Sequence, residues 1–363
     1  MVEKLILELA GTSGITTVGS IASSDGVTFN NMESVPDLTI KSPANGTVEV
    51  NMNLAALSGA SDQSTITVSG TGAGLDIAYT DDGVAATAAS SVLETVEIVS
   101  QSVANTINDL QLDAVGTTTL KISGDKKLTI STATDATVAV IDGSASSGGF
   151  TLADISFASP TVTGGAGADT ITAVGGGATE SYSMGGGNDS VDFANSFTGT
   201  DVYDGGDGVD TLIVGTNGFS NAGTASTISA GLSNVEVLSL TVAGTVSLES
   251  DTSINTIAIG TTDTNQIVNL NDGTTQAYTV SITGDTASAD TINNNSNVQL
   301  TLNAYPTDIT GATNVTGSAG TTDVLNLTSL ADGTATFDTN NDVFETINVV
   351  AVGTGVDTTL AMP

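Results

Sequence analysis

The sequence predicts an all-β chain built as an elongated parallel β-solenoid, or β-roll, flanked by β-rich regions. Three observations carry that reading. Short runs of Val, Ile, Leu and Thr alternate with period two and are separated roughly every eight to twelve residues by Gly, Asn, Asp and Ser turns. A Gly-Gly-x-Gly-x-Asp pattern recurs at GGAGADTIT (164–172), MGGGNDSVD (184–192) and GGDGVDTLI (205–213), and short repeats of this kind stack as coils because one repeat cannot bury its apolar face alone. The chain is 39% hydrophobic and 12% charged over 363 residues, which supplies a continuous core and is unlike a charge-dense disordered composition.

The chain divides into an N-terminal β-rich region over 1–160, a Gly-Asp block over 161–215 and a C-terminal β-rich region with degenerate repeats over 216–363. Pro160 marks the first boundary. In the N-terminal region, MVEKLILELAG places Glu3 and Glu8 inside its only apolar run and does not read as a cleavable signal peptide. Export would then rely on a signal at the C-terminus or outside this sequence. No run of eighteen apolar residues provides a transmembrane helix.

The stretch 91–112 places Val92, Val96, Val99, Val103, Ile107 and Leu110 at helical spacing, but its β-branched content favours strand. TLKISGDKKLTIS (119–131) alternates Leu120, Ile122, Leu128 and Ile130 around Ser-Gly-Asp-Lys, the pattern of a hairpin. Lys121, Lys126 and Lys127 would form its solvated face. A second similarity links VLETVEIV (92–99), NVEVLSLT (234–241) and VFETINVV (343–350), with NMESVPDLTI (31–40) as a weaker copy. Each would start a stacked strand after a turn, its Glu recurring on the solenoid wall or at an ion site. Further on, TGDTASADTIN (283–293) and TGSAGTTDVLNL (316–327) keep the turn, the Asp and the following strand but lose glycines.

Within the block, alignment on the acidic sixth position gives five units: 164–172, 175–183, 184–192, 196–204 and 205–213. Asp169, Glu180, Asp189, Asp201 and Asp210 hold that position. Ile171, Tyr182, Val191, Val202 and Leu212 read as the residues entering the core. Gly165, Gly167, Gly185, Gly187, Gly206 and Gly208 allow a tight turn and let carbonyls face inward. Carbonyl and carboxylate oxygens from stacked turns suit calcium, a hard cation that takes six to eight oxygen ligands. Magnesium demands stricter geometry. The metal-ligating candidates are therefore these six glycines and five acids. With consecutive units on opposite edges, an ion would bridge unit n to unit n+2: Asp169 with Asp189, Asp189 with Asp210, and Glu180 with Asp201.

Charge supports the ion. Forty acidic residues face five lysines, giving a net charge of −35, and no cationic side chain follows Lys127. Residues 128–363 carry 25 carboxylates, so compensation there must come from water, backbone N–H groups or bound cations. So acidic a surface repels nucleic acid and anionic lipid. With no His and no Cys, the chain has no thiolate, no Ser-His-Asp triad and no His or Cys zinc site. The reading is that it is not an enzyme, a carboxylate-pair glycosidase being the one catalytic chemistry its residues leave open.

The Gly-Asp block resembles the repeats-in-toxin (RTX) family of calcium-binding bacterial secreted proteins. TVTGGAGADTIT (161–172), the Ser/Thr/Ala/Gly richness without Cys, and the ETVEIV and ETINVV strands make the whole chain similar to RTX surface-layer proteins of the Caulobacter crystalline type. The resemblance implies type I secretion, folding on calcium outside the cell, and self-assembly into a lattice at the bacterial surface. It also implies an anchor, not evident here, to cell-surface polysaccharide or lipopolysaccharide. A segment of a type I secreted calcium-dependent adhesin is the alternative.

Overall fold

The computed structural model describes residues 5–157 (apart from 10, 12–13, 22, 24, 42–45, 58, 73, 82–91 and 135–136), then 161–172, 180–193 and 201–215, and from 226 onward chiefly the strands and the residues beside them. The chain is all-β, and its strands wind a β-solenoid in which every recorded strand pairing is parallel. Two one-turn 3-10 segments, Leu54–Ala56 and Asp113–Val115, are the only helical elements among the described residues. None of these is long or apolar enough to cross a membrane. Packing separates two compact units, Met1–Ser190 with Gly206–Gly208, and Val191–Gly205 with Val209–Pro363.

In the first unit the chain crosses between two walls at every corner. One wall stacks Leu5–Glu8, Val27–Met32, Gly46–Met52, Leu75–Asp81, Asn105–Gln111, Leu128–Thr134, Phe150–Leu152 and Thr170–Thr172. The other stacks Thr17–Ile21, Asp37–Lys41, Gln63–Ser69, Thr95–Gln101, Thr119–Gly124, Val140–Ser146, Thr161–Thr163 and Ser181–Ser183. Because side chains alternate along a strand, every second residue faces inward, and parallel register turns these into apolar columns. Val27, Val48 and Ile77 form one column, and Phe29, Val50 and Tyr79 another, all buried. Leu38, Ile66, Ile98 and Ile122 line the opposite wall.

In the second unit, Thr211–Val214, Val237–Leu240, Thr256–Ile259, Tyr278–Ile282, Gln299–Ala304, Val324–Ser329 and Thr346–Ala351 stack on one wall. Its buried column runs Leu212, Leu238, Ile257 and Val280. A second sheet stacks Ser226–Thr227, Gly244–Ser247, Gln266–Leu270, Thr291–Asn294, Thr313–Thr316 and Phe337–Asp338. The turns of the degenerate repeats at 283–293 and 316–327 lie outside the described residues, but the strands that follow them are these.

Two local expectations resolve differently. The stretch 91–112 is strand, Thr95–Gln101 and Asn105–Gln111, in agreement with its β-branched content. The corner between them turns at Ser102, whose φ is 69°. Asn105 fastens that corner: its Oδ1 accepts from Gly70 N–H at 2.7 Å and Thr71 N–H at 3.1 Å, and its Nδ2 donates to the Val103 carbonyl at 2.7 Å.

The hairpin over 119–131 does not form. Thr119–Gly124 and Leu128–Thr134 lie on opposite walls, each paired parallel to strands of neighbouring coils. The Ser-Gly-Asp-Lys turn is a solenoid corner, with Gly124 at φ 113° and packed against the Ser100 backbone. Lys121 therefore faces Glu97 on one side and Asp142 on the other in register, and Lys126 pairs with Asp125 at 2.9 Å.

Candidate metal centre

The five sixth-position acids of the Gly-Asp block are buried: Asp169, Glu180, Asp189, Asp201 and Asp210 expose 2% of their surface or less. Each stands immediately before a strand, Thr170–Thr172, Ser181–Ser183, Ser190–Asp192, Val202–Asp204 and Thr211–Val214 respectively. The acid thus sits at the corner where the chain enters a wall, and the residue two positions on points into the core. Ile171, Tyr182, Val191 and Leu212 occupy that inward place and are buried. Val202 does not: it is 42% exposed, and the place belongs to Tyr203, fully buried. Counting two residues on from Asp201 reaches Tyr203, whose ring lies 6.4 Å from that of Phe193.

In the first unit, Asp169 Oδ1 accepts from Phe150 N–H at 2.8 Å and Oδ2 from Gly165 N–H at 2.9 Å. The first bond ties the carboxylate to the preceding coil, and the second closes its own turn. Asp169 N–H in turn donates to Asp189 Oδ1 at 2.7 Å, and Ser190 N–H donates to the Asp169 carbonyl at 2.9 Å. Asp169 and Asp189 are therefore stacked one coil apart on one edge. Burial pushes the Asp169 carboxyl up to about 6, and the N–H groups of Gly165 and Phe150, with the charge of Lys127, only partly oppose it. Glu180 accepts from the Tyr182 hydroxyl at 3.2 Å.

The glycines hold the turns close. Gly186 N–H donates to the Gly165 carbonyl at 2.8 Å, and Asp207 N–H to the Gly185 carbonyl at 2.8 Å. A Cβ at Gly164 would sit 2.7 Å from Asp169 Oδ2 and overlap the Met184 carbonyl oxygen. Gly185 needs glycine twice over, since its φ is 90° and a Cβ there would overlap the Gly165 carbonyl oxygen. At Gly165 and Gly167 the φ angles are ordinary and the requirement is close approach alone, to Ser146 and to the Gly149 amide.

In the second unit, Asp210 N–H donates to Glu236 Oε2 at 2.8 Å, and Val237 N–H returns a bond to the Asp210 carbonyl at 2.9 Å. This repeats the Asp169–Asp189 geometry with a Glu outside the nonapeptides. Glu94 does the same in the first unit, its Oε2 accepting from Asp62 N–H at 2.7 Å. Glu33 accepts from Gly11 N–H at 2.8 Å on an exposed corner, and Glu345 lies outside the described residues.

The two sequence similarities are thus one structural position. An acid at the coil entry caps the N–H of the coil before it, with an apolar residue two places on: Asp169 with Ile171, Glu94 with Val96, Glu236 with Leu238. Glu94 and Glu236 were legible as a motif, and their shared spacing with the nonapeptide Asp was the signal that they hold the same place.

Among the described residues no three Asp, Glu, His or Cys side chains converge into a metal-ligating group. The donor chemistry is all oxygen, from carboxylates and close-packed turn carbonyls, which fits a hard cation such as calcium and no soft metal. A carboxylate offers about four lone-pair sites, and Asp169 uses two for backbone N–H groups, so accepting these bonds and ligating an ion are compatible. Fold and site together define an acidic parallel β-solenoid with buried coil-entry carboxylates. Compared with protein-family models, curated proteins and solved structures, the chain matches none.

Proposed function

We propose that this chain is an extracellular structural protein whose solenoid is locked by calcium over 161–215 and which assembles with copies of itself into a bacterial surface layer or related polymer. The observation that supports this most is the burial of Asp169, Glu180, Asp189, Asp201 and Asp210 in a stretch with no cationic side chain after Lys127. Two carboxylates 4 Å apart repel by about 4 kcal/mol at an effective dielectric of 20. A divalent ion reverses the sign of that interaction and makes folding of the block conditional on it. Asp169 and Asp189, stacked on one edge, are the first pair to hold such an ion, with Gly165, Gly167, Gly185 and Gly187 supplying the close turns. Calcium acts here as a folding and assembly switch, and no catalytic role is assigned.

The test is circular dichroism and negative-stain microscopy of one sample with calcium and after chelation. Calcium-dependent gain of β structure, protease resistance and ordered polymer is expected. Identical folding and assembly in both conditions would sink the reading.

A second reading is favoured by the hydrogen bonds themselves: the acids are ion-free staples between coils, as Glu94 and Glu236 are. Asn at Asp169 and Asp189 keeps an acceptor but loses the charge. On the staple reading those variants fold as wild type and calcium changes nothing.

A further inference from the structure

One wall of the second unit is uncharged. Its described strands, Thr211–Val214, Val237–Leu240, Thr256–Ile259, Tyr278–Ile282, Gln299–Ala304, Val324–Ser329 and Thr346–Ala351, contain no Asp, Glu or Lys. Every other wall carries charge in its strands, as at Glu49, Glu97 and Asp338. The acids that precede these strands among the described residues are held at coil entries: Asp210 is buried, and Glu236 accepts its N–H.

Parallel register turns the outward side chains of this wall into columns of small residues. One column runs Thr256, Thr279, Thr301, Asn326 and Asn348, all at least partly exposed. The column beside it holds Ala258, Ser281 and Asn303. The amides bond along the columns: Asn348 Nδ2 donates to Asn326 Oδ1 at 2.9 Å, and Asn303 Nδ2 to Ser281 Oγ at 3.3 Å. Polar groups satisfied within the face cost less to desolvate when another sheet covers it. Stacked ladders of small, uncharged side chains, amide ladders among them, are the surfaces that pack sheet on sheet about 10 Å apart.

Charge selects the occupant. In a chain of net charge −35, two copies repel wherever their acidic surfaces meet, and this wall is where a second copy approaches with the least repulsion. A cationic partner would find nothing to attract it here. Tyr278, the only aromatic residue in these strands, is buried, so the wall offers no ring on which a sugar could stack. A twofold axis through the wall sets the columns of one copy against the same columns of the other.

We infer that this wall is a face-to-face interface between two copies of the chain. The inference rests on the self-assembly proposed above and names the surface that serves it. Strands about 4.8 Å apart with about 13 Å of length each present roughly 400 Å² of wall. That is about half of what one partner of a stable complex buries, so the contact is concentration-dependent in solution.

The chain has no cysteine, which makes cross-linking direct. Single variants Thr256→Cys, Thr279→Cys, Ser281→Cys and Thr301→Cys are oxidised mildly in calcium. Thr65→Cys is the control, a half-buried outward position in register with Glu97. Residues near the twofold axis meet their own copies, so at least one wall variant should form a disulfide-linked dimer at concentrations where Thr65→Cys stays single. Sedimentation of the wild type should show association rising with concentration. Thr279→Glu should move its midpoint at least tenfold higher with unchanged circular dichroism, and Thr65→Glu should leave it in place. If Thr279→Glu misfolds, the cysteine series decides alone.

A wild type that polymerises on calcium while no wall variant cross-links to itself overturns the inference and leaves the assembly reading standing. The same result is expected of a wall that takes a foreign partner. Wall-linked dimers that never extend into a polymer keep this interface and remove the surface-layer reading. A wild type monomeric at every concentration overturns both.

Discussion

The backbone N–H of Asp169 donates to Oδ1 of Asp189 across 2.7 Å, so an acid of one coil caps the entry of the coil before it. Both residues are buried. A buried N–H that loses its acceptor carries its full desolvation cost, and the Asp189 side chain is what prevents that at Asp169.

Substitution at Asp189 should separate the acceptor from the charge. In chelator, Asp189→Asn keeps an oxygen for Asp169 N–H and removes a buried charge, whereas Asp189→Ala removes both. The Ala variant is expected to unfold about 1–3 kcal/mol more easily than the Asn variant in urea. Equal midpoints would show that the bond contributes nothing.

Calcium should stabilise the wild type and fail to stabilise Asp189→Asn. At an ion concentration a hundredfold above the dissociation constant, one site adds about 2.7 kcal/mol. Glu94→Gln, at a coil entry outside the Gly-Asp block, should leave the calcium-induced shift unchanged. A shift lost equally in Glu94→Gln and Asp189→Asn would mean that calcium acts on the acidic surface as a whole.

Without calcium, acidification should tighten the turn around Asp169. Its folded pKa is raised from 3.8 to about 6, so the folded state binds the proton more strongly than the unfolded one. The stability this contributes is present in full below pH 3.8 and is lost as pH rises through about 6. Amide exchange over 165–172 in chelator, corrected for intrinsic rates, should therefore slow between pH 7 and pH 4.5. With calcium bound, the carboxylate form is favoured and the trend should reverse. Protection that falls steadily on acidification in chelator would refute the assignment.

Two adjacent glycines should differ sharply. Gly185→Ala places a Cβ at φ 90° and onto the Gly165 carbonyl oxygen, a backbone conflict that costs on the order of 1–3 kcal/mol. Gly186→Ala meets nothing nearer than 3.9 Å and should fall within about 0.5 kcal/mol of wild type. Thermal unfolding of the pair checks this, and equal destabilisation would contradict the stacked-turn geometry.

By itself the sequence determined what repeats over short distances. Period-two alternation specified strands, the turn residues placed the corners, and the Gly-Asp register put Asp169, Asp189 and Asp210 ahead of inward Ile171, Val191 and Leu212. These are local facts, because an acid and the residue two places on lie on one strand entry whatever the strand pairs with.

Tertiary structure decided everything that depends on a partner twenty or more residues away. Ser-Gly-Asp-Lys at 123–126 has the same turn chemistry whether the chain doubles back or crosses to the opposite wall. Only the pairing of Thr119–Gly124 with Thr95–Gln101 and Val140–Ser146 makes it a corner. Glu94 reaches Asp62, and Glu236 reaches Asp210, only through the parallel register of coils 32 and 26 residues apart. A side chain's pattern is written along the chain, but the group that it satisfies is supplied by the next coil.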